Sequence, residues 1–212
     1  MIKNIIFDMG QVLIKFDPDY FIDRVGVDSP IDKITLTREV FKSLEWSMMD
    51  RGTIDEKEAL KRMYTRLPDH LKDVAIELTC DWPKMAPQID GSYELIEELK
   101  NNGYKIYLLS NASVSQKDYW KDVPCSKFFD GTVVSSYIHL VKPQQEIYKH
   151  ILDKYNLKAE ESIFIDDSTL NVEGAVYCGM KGIVFHGDYQ EVRDKLIDNG
   201  VNISRENRIT IR

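Results

Sequence analysis

Five short apolar runs, continuous rather than alternating, constrain the fold of this 212-residue chain more than any other feature. They are Ile5-Ile6-Phe7, Ile106-Tyr107-Leu108-Leu109, Thr132-Val133-Val134, Ile163-Phe164-Ile165 and Gly182-Ile183-Val184-Phe185. A strand with one wet face alternates polar and apolar residues. A continuous run has to be covered on both faces, which is the condition inside a parallel sheet. Helical stripes lie between the runs. Leu95, Ile96 and Leu99 form one ahead of Gly103, a helix stop. Ile147, Tyr148, Ile151, Leu152 and Tyr155 form another, with Pro143 suited to its first turn. Val192, Leu196 and Ile197 form a third. Strands alternating with helices predict an α/β fold, a doubly wound parallel sheet.

One stretch breaks this rhythm. Residues 17–87 hold no comparable strand, only helical patterns near 20–25, 37–44, 55–67 and 70–80. Thr53-Ile54-Asp55-Glu56 has the spacing of a capping box and marks a helix start after Gly52. The expectation is a core of residues 1–16 and 88–212 with a helical domain, 17–87, inserted after the first strand. That position covers the carboxyl end of the sheet, where open α/β folds bind ligands.

Composition narrows the function. The chain is 43% hydrophobic and 30% charged, as a globular protein is, with a formal net charge of -7. Nucleic-acid binding needs a basic face, and no basic excess exists here. No run approaches the roughly 18 apolar residues of a membrane span, and the opening segment is too short for a signal-peptide core. The reading is a cytoplasmic protein. Cys80, Cys125 and Cys178 are odd in number and far apart, which argues against disulfides or a zinc site and for small buried hydrophobes. No Gly-x-Gly-x-x-Gly follows the first strand, so a nicotinamide cofactor is unsupported.

The chemistry gathers at strand ends. Asp8 follows the first run and Asp166-Asp167 follows the fourth. Charge is costly to bury, so these carboxylates should emerge at the sheet's edge. Neighbouring carboxylates repel unless a positive group lies between them, and a hard divalent cation such as Mg²⁺ answers that need. Taken singly, each aspartate is equally compatible with capping the next helix. Ser110-Asn111 ends the second run, where a hydroxyl, an amide and free N–H groups suit phosphate oxygens. Lys142, just before Pro143, offers a cation to carboxylate or phosphate. Trp46, Met48 and Met49 suit either the packing of the insertion or a substrate wall. Tyr119 and Trp120 suit a pocket or an interface.

The order Asp8, Ser110-Asn111, Lys142, Asp166-Asp167 resembles the haloacid dehalogenase-like hydrolase superfamily. The resemblance rests on Ile6-Phe7-Asp8-Met9-Gly10-Gln11-Val12-Leu13, Leu108-Leu109-Ser110-Asn111, Val141-Lys142-Pro143 and Ile163-Phe164-Ile165-Asp166-Asp167-Ser168. It implies a Rossmann-like core with an α-helical cap in residues 17–87. It also implies a phosphatase of a small phosphorylated metabolite, with Asp8 as a nucleophile that becomes an aspartyl-phosphate. Ser110, Asn111 and Lys142 would hold the phosphoryl oxygens. Mg²⁺ would sit among Asp8, the Gly10 carbonyl, Asp166 and Asp167.

Gly10 departs from most phosphatases of the superfamily, which place a second aspartate there as acid and base. Such a group contributes roughly 10²–10⁴-fold in rate. Three explanations stand open: a substrate with a good leaving group, a substitute carboxylate such as Asp17, or ligand binding without turnover. Asp8-x-Gly10-Gln11-Val12 followed by Phe16-Asp17 resembles a capped bacterial subgroup that includes α-D-glucose-1-phosphate phosphatase, and so implies a sugar phosphate, possibly an anomeric one. The competing readings are a non-catalytic, phosphate-binding or regulatory protein and a metal-independent dehalogenase.

Overall fold

In a computed structural model, which describes residues 1–205, each apolar run is a strand with both faces covered. The strands are β1 (Asn4–Phe7), β2 (Lys105–Ser110), β3 (Gly131–Val134), β4 (Ser162–Asp166) and β5 (Lys181–Val184). They form one parallel sheet in the order β3-β2-β1-β4-β5. Phe7 of the central strand is level with Leu108 of β2 on one side and Ile165 of β4 on the other. One step further along, Asp8 N–H donates to the Ile165 carbonyl at 2.9 Å, which brings Asp8 out beside Asp166.

Six short helices follow β1: α1 (Pro18–Arg24), α2 (Pro30–Leu36), α3 (Leu44–Asp50), α4 (Glu56–Met63), α5 (Lys72–Ile76) and α6 (Trp82–Met85). The core continues through α7 (Ser92–Asn101), α8 (Gln116–Trp120), α9 (Ser135–Ile138), α10 (Gln145–Tyr155), α11 (Thr169–Tyr177) and α12 (Tyr189–Asp198). Strand pleating divides the sheet's side chains between two layers. Ile5, Phe7, Ile106, Leu108, Ile163 and Ile165 pack with Leu95, Ile96 and Leu99 of α7 and Val192 and Leu196 of α12. Ile6, Tyr107, Leu109 and Phe164 pack on the other face with Ile147, Tyr148 and Ile151 of α10. Each such buried side chain stabilises its layer by roughly 1.5–3 kcal/mol relative to exposure.

The inserted helices differ in detail from their sequence pattern. Two five-residue π-helical stretches, Thr37–Phe41 and Glu77–Asp81, interrupt what periodicity draws as continuous helices. The second turns Leu78 and Thr79 inward and leaves Cys80 exposed; Cys178 is half-buried, so of the three cysteines expected to be buried only Cys125 is. The capping box at Thr53 also fails. Asp55 caps α4 instead, accepting from Glu58 N–H at 2.8 Å, while the Thr53 hydroxyl donates to the Met48 carbonyl. Asp55 and Glu58 have the same spacing two residues on, and Asp is at least as good a cap as Thr. Pro143 lies just outside α10, whose N-cap is Gln144.

The insertion has an aromatic centre. Phe16 packs edge-on or tilted against Phe21, Phe41, Trp46 and Trp82, the last at 4.9 Å between ring centroids. The chain enters and leaves this unit through two paired segments. Ile14 bridges Gln88 antiparallel, Lys15 N–H donates to the Pro87 carbonyl, and Ile89 N–H donates to the Leu13 carbonyl, each at 2.9 Å. Among the described residues no helix is long and apolar enough to cross a membrane.

Candidate active site

The carboxyl ends of β1, β2 and β4 converge on Lys142. Its Nζ lies 2.7 Å from Asp8 Oδ1 and 2.6 Å from Asp166 Oδ2, and all three residues are buried. Burial alone would lower the lysine's pKa, but Asp8 and Asp166 outweigh it and hold the ammonium charged above its ordinary range. Asp8 feels the opposite balance. Burial raises its carboxyl to about 7 against the pull of Lys142, and Asp166 adds to the rise. Asp166 is tied on its other side. Its Oδ1 accepts from Ser168 N–H at 2.8 Å and from Asn171 Nδ2 at 3.0 Å.

Asn111, just past β2, clamps the backbone of Lys142. Its Oδ1 accepts from Lys142 N–H at 2.9 Å and its Nδ2 donates to the Lys142 carbonyl at 3.2 Å. The lysine is therefore held at both ends, by an amide at its backbone and by carboxylates at its tip. Ser110 ends β2 and is buried. After Asp8 the chain turns sharply, with Leu13 and Ile14 N–H groups both donating to the Met9 carbonyl. Gln11 adopts φ 54° in that turn, and its Oε1 accepts from Phe16 N–H at 3.0 Å.

Above the carboxylates lies a cavity of about 160 Å³, small beside typical ligand pockets of roughly 300–1,000 Å³. Its floor is Asp8, Gly10, Asn111 and Asp167, and its roof comes from the insertion. Phe16, Trp46, Met49, Trp82 and Tyr119 form the apolar wall, so of the residues with two readings Trp46, Met49 and Tyr119 face the cavity. Trp120 packs on Phe129 instead, at 5.0 Å between centroids. Two polar roof residues were not singled out by sequence. Thr79 is buried, and its hydroxyl has no hydrogen-bond partner among the described residues. Asp50 ends α3, lines the cavity, and is pushed up to about 7 by burial, against a weaker pull from Lys142. Asp17 lies elsewhere. It caps α1 through Asp19 and Tyr20 N–H groups, pairs with Lys15 at 3.3 Å, and does not line the cavity.

Asp8, Asp166 and Asp167 each offer a carboxylate oxygen within 4.8 Å of the others. One ammonium faces three carboxylates, an imbalance that suits a hard divalent cation. Oxygen donors of this kind, with open space beside Asp167 for water, fit Mg²⁺ rather than a thiolate-seeking metal.

The family model for haloacid dehalogenase-like hydrolases matches residues 38–185. The chain belongs to that family. It is 26% identical over 182 residues to a sesquiterpene phosphatase of Aspergillus oryzae, covering 85% of this chain and 88% of that protein. It is 24% identical over 195 residues to a drimenol cyclase of Aspergillus calidoustus, covering 88% of this chain but only 34% of that longer protein. Among solved structures, an Asp-to-Ala mutant of a family enzyme from Bacteroides thetaiotaomicron, in complex with magnesium and inorganic phosphate, superposes with a TM-score of 0.63. That match has 22% identity and covers 91% of this chain and 99% of the other.

Proposed function

We propose that this protein is a Mg²⁺-dependent phosphatase of small phosphate esters. The observation that carries the reading is the Asp8–Lys142–Asp166 triplet, whose Asp8 opens onto the cavity beneath the inserted helices. Asp8 Oδ attacks phosphorus and is phosphorylated, and water then releases inorganic phosphate. Lys142 neutralises charge building on the transferring oxygens, with Asn111 fixing its backbone and Ser110 at the adjoining strand end. Asp8, Asp166, Asp167 and the Gly10 carbonyl would hold the cation, which supplies charge to the phosphoryl oxygens when bound. Residues 17–87 act as a cap that excludes water.

The substrate reading is a sugar phosphate, an anomeric ester being the kind that asks least of a site whose nucleophile loop carries Gly10 in place of an acid. Two features support it. An aromatic wall suits the apolar face of a sugar ring, and the unpartnered Thr79 hydroxyl suits a substrate hydroxyl. The same aromatic wall favours a second reading, a prenyl monophosphate, which also leaves readily and matches the relative named a sesquiterpene phosphatase.

The test is phosphate release from paired anomeric and 6-phosphate sugars, a prenyl monophosphate and p-nitrophenyl phosphate, in Mg²⁺ and in excess chelator. Release that chelator abolishes, and that Asp8→Asn abolishes in a folded protein, is expected. Undiminished turnover by that variant would remove Asp8 as nucleophile. Absence of release from every ester by the folded wild type would favour a binding protein.

A further inference from the structure

A phosphatase with Gly10 lacks a proton donor on its nucleophile loop, and the cavity narrows the search for another. The titratable groups that line it, among the described residues, are Asp8, Asp50, Tyr119 and Asp167. Asp8 is committed to phosphorus and Asp167 to the cation cluster. Burial, with Asp50 nearby, raises the Tyr119 phenol far above its usual range, so it is a poor acid near neutrality. Asp50 remains. Its carboxyl makes no hydrogen bond or ion pair with any described residue, although it lines the same cavity as Asp8. A carboxyl in that setting has its partner still to come, from the cavity. Its place at the last residue of α3 acts in the same direction, since a helix C-terminus disfavours negative charge there.

The turn that carries Asp50 is docked rigidly on the core. The Asp50 carbonyl accepts from the Ser135 hydroxyl, and the Arg51 carbonyl lies 3.0 Å from His139 Nδ1. Arg51 Nη1 donates to Gln144 Oε1 at 3.3 Å. Gly52 follows at φ 74°, pressed so close to Ser136 that a Cβ there would lie 2.1 Å from its carbonyl oxygen. These contacts hold the Asp50 side chain over the floor rather than leaving it on a mobile loop, the preorganisation a proton donor needs. The groups facing it are Lys142 from the core and Tyr119 from α8.

We propose that Asp50, supplied by the cap, is the general acid and base of this site, taking the role that Gly10 leaves empty. This rests on the phosphatase reading. As the Asp8 Oδ–P bond forms and the ester P–O bond breaks, the Asp50 carboxyl gives its proton to the leaving oxygen, producing the free alcohol. Asp50, now a carboxylate, then takes a proton from the water that attacks phosphorus. The Asp8–phosphorus link breaks, phosphate leaves, and both carboxyls return to their starting states. Because the acid comes from the cap, turnover needs the cap seated, which couples closure to chemistry.

The experiment compares wild type, Asp50→Asn, Asp50→Glu and Gly10→Asp/Asp50→Asn in saturating Mg²⁺, on a sugar 6-phosphate and on p-nitrophenyl phosphate. Asp50→Asn is expected to lose about 10²–10⁴-fold in kcat/KM for the alkyl ester. Its kcat/KM for p-nitrophenyl phosphate should change only a few-fold, because that leaving group needs no proton. Slow dephosphorylation should then appear as a burst of p-nitrophenol. Asp50→Glu should recover part of the alkyl-ester rate. A Cβ at Gly10 would meet Phe16 Cβ at 3.5 Å, an ordinary contact, and Gly10 lines the cavity, so the double variant should regain alkyl-ester turnover. Equal losses on both esters with a folded protein, or no rescue by either acid, would overturn the role of Asp50 alone. A wild type inert to every ester would instead overturn the phosphatase reading and this role with it.

Discussion

Gly52→Ala measures how firmly the cap is seated, and Gly26→Ala is its internal control. Both glycines lie in the inserted unit with positive φ, 74° at Gly52 and 78° at Gly26. Left-handed backbone costs a residue with a Cβ about 1–2 kcal/mol. The restricted unfolded chain of alanine offsets about 0.4–1 kcal/mol of that. Gly26 has nothing within 4 Å of an added Cβ, so its variant should lose only about 1 kcal/mol. At Gly52 the added Cβ falls 2.1 Å from Ser136 O and 2.8 Å from Ser136 C and Cα. All three are backbone atoms that no rotamer change moves aside. An ordinary C···O contact is about 3.3–3.6 Å, so the turn must lift by about 1 Å. Overpacking of that kind costs about 1–3 kcal/mol. Strain on the Ser135 and His139 hydrogen bonds adds about 0.5–1.5 kcal/mol each. The expected loss is therefore about 3–7 kcal/mol, or roughly 6–28 °C in Tm for a chain of this size. Urea titration and thermal melts of the two variants, side by side, make the comparison. Losses equal within about 1 kcal/mol would show that the Gly52 approach to Ser136 is not made in solution, and would undo the argument that Asp50 is held in place.

Two other outcomes follow from the cavity. Thr79→Val removes a buried hydroxyl without a partner, so the free protein should gain about 1 kcal/mol or more in stability. The same change should raise KM for a hydroxylated substrate about 2–12-fold, with little effect on p-nitrophenyl phosphate, and a stability loss would contradict it. Asp50→Asn should change the pH dependence of stability measured in chelator. The folded-state pKa of about 7 lies above the unfolded value of about 3.9, so the native state holds its proton longer. Wild type therefore loses stability as pH rises from about 4 to about 7. The Asn variant lacks the Asp50 share of that loss while Asp8 contributes equally to both proteins, so its advantage should grow across that window and level off above it. A difference independent of pH would show that Asp50 is not shielded from water.

The sheet was legible because two-sided burial leaves an unmistakable mark, continuous β-branched runs such as Ile163-Phe164-Ile165. The charges closing those runs were legible for the same reason: a carboxylate directly after an apolar strand can only emerge at the strand's end. Asn111 and Asp17 show the limit. Asn111 is a residue type suited to phosphate, yet its amide is spent on the backbone of Lys142, a contact 31 residues away that no local pattern encodes. Asp17 is near Asp8 in sequence, but capping α1 turns it away. Asp50 is one of many aspartates, and only its spacing offered a signal. Trp46, Met49 and Asp50 are separated by three and four positions and so share one helix face. That face became meaningful only once the cap was folded over the floor.

The paired crossing at Ile14 and Gln88 has a consequence for the architecture's history and its engineering. The chain leaves the sheet for the inserted unit and returns from it through two adjacent segments, already hydrogen-bonded to each other. The entropy of closing a loop grows only slowly with its length, and here the closure is enforced by the strands themselves. A graft exchanged between Lys15 and Pro87 therefore keeps the chain path out of β1 and into α7, and has to remake only the contacts on Ser135, Ser136, His139 and Gln144. New roofs, with other walls and other proton donors, can be fitted to one unchanged floor.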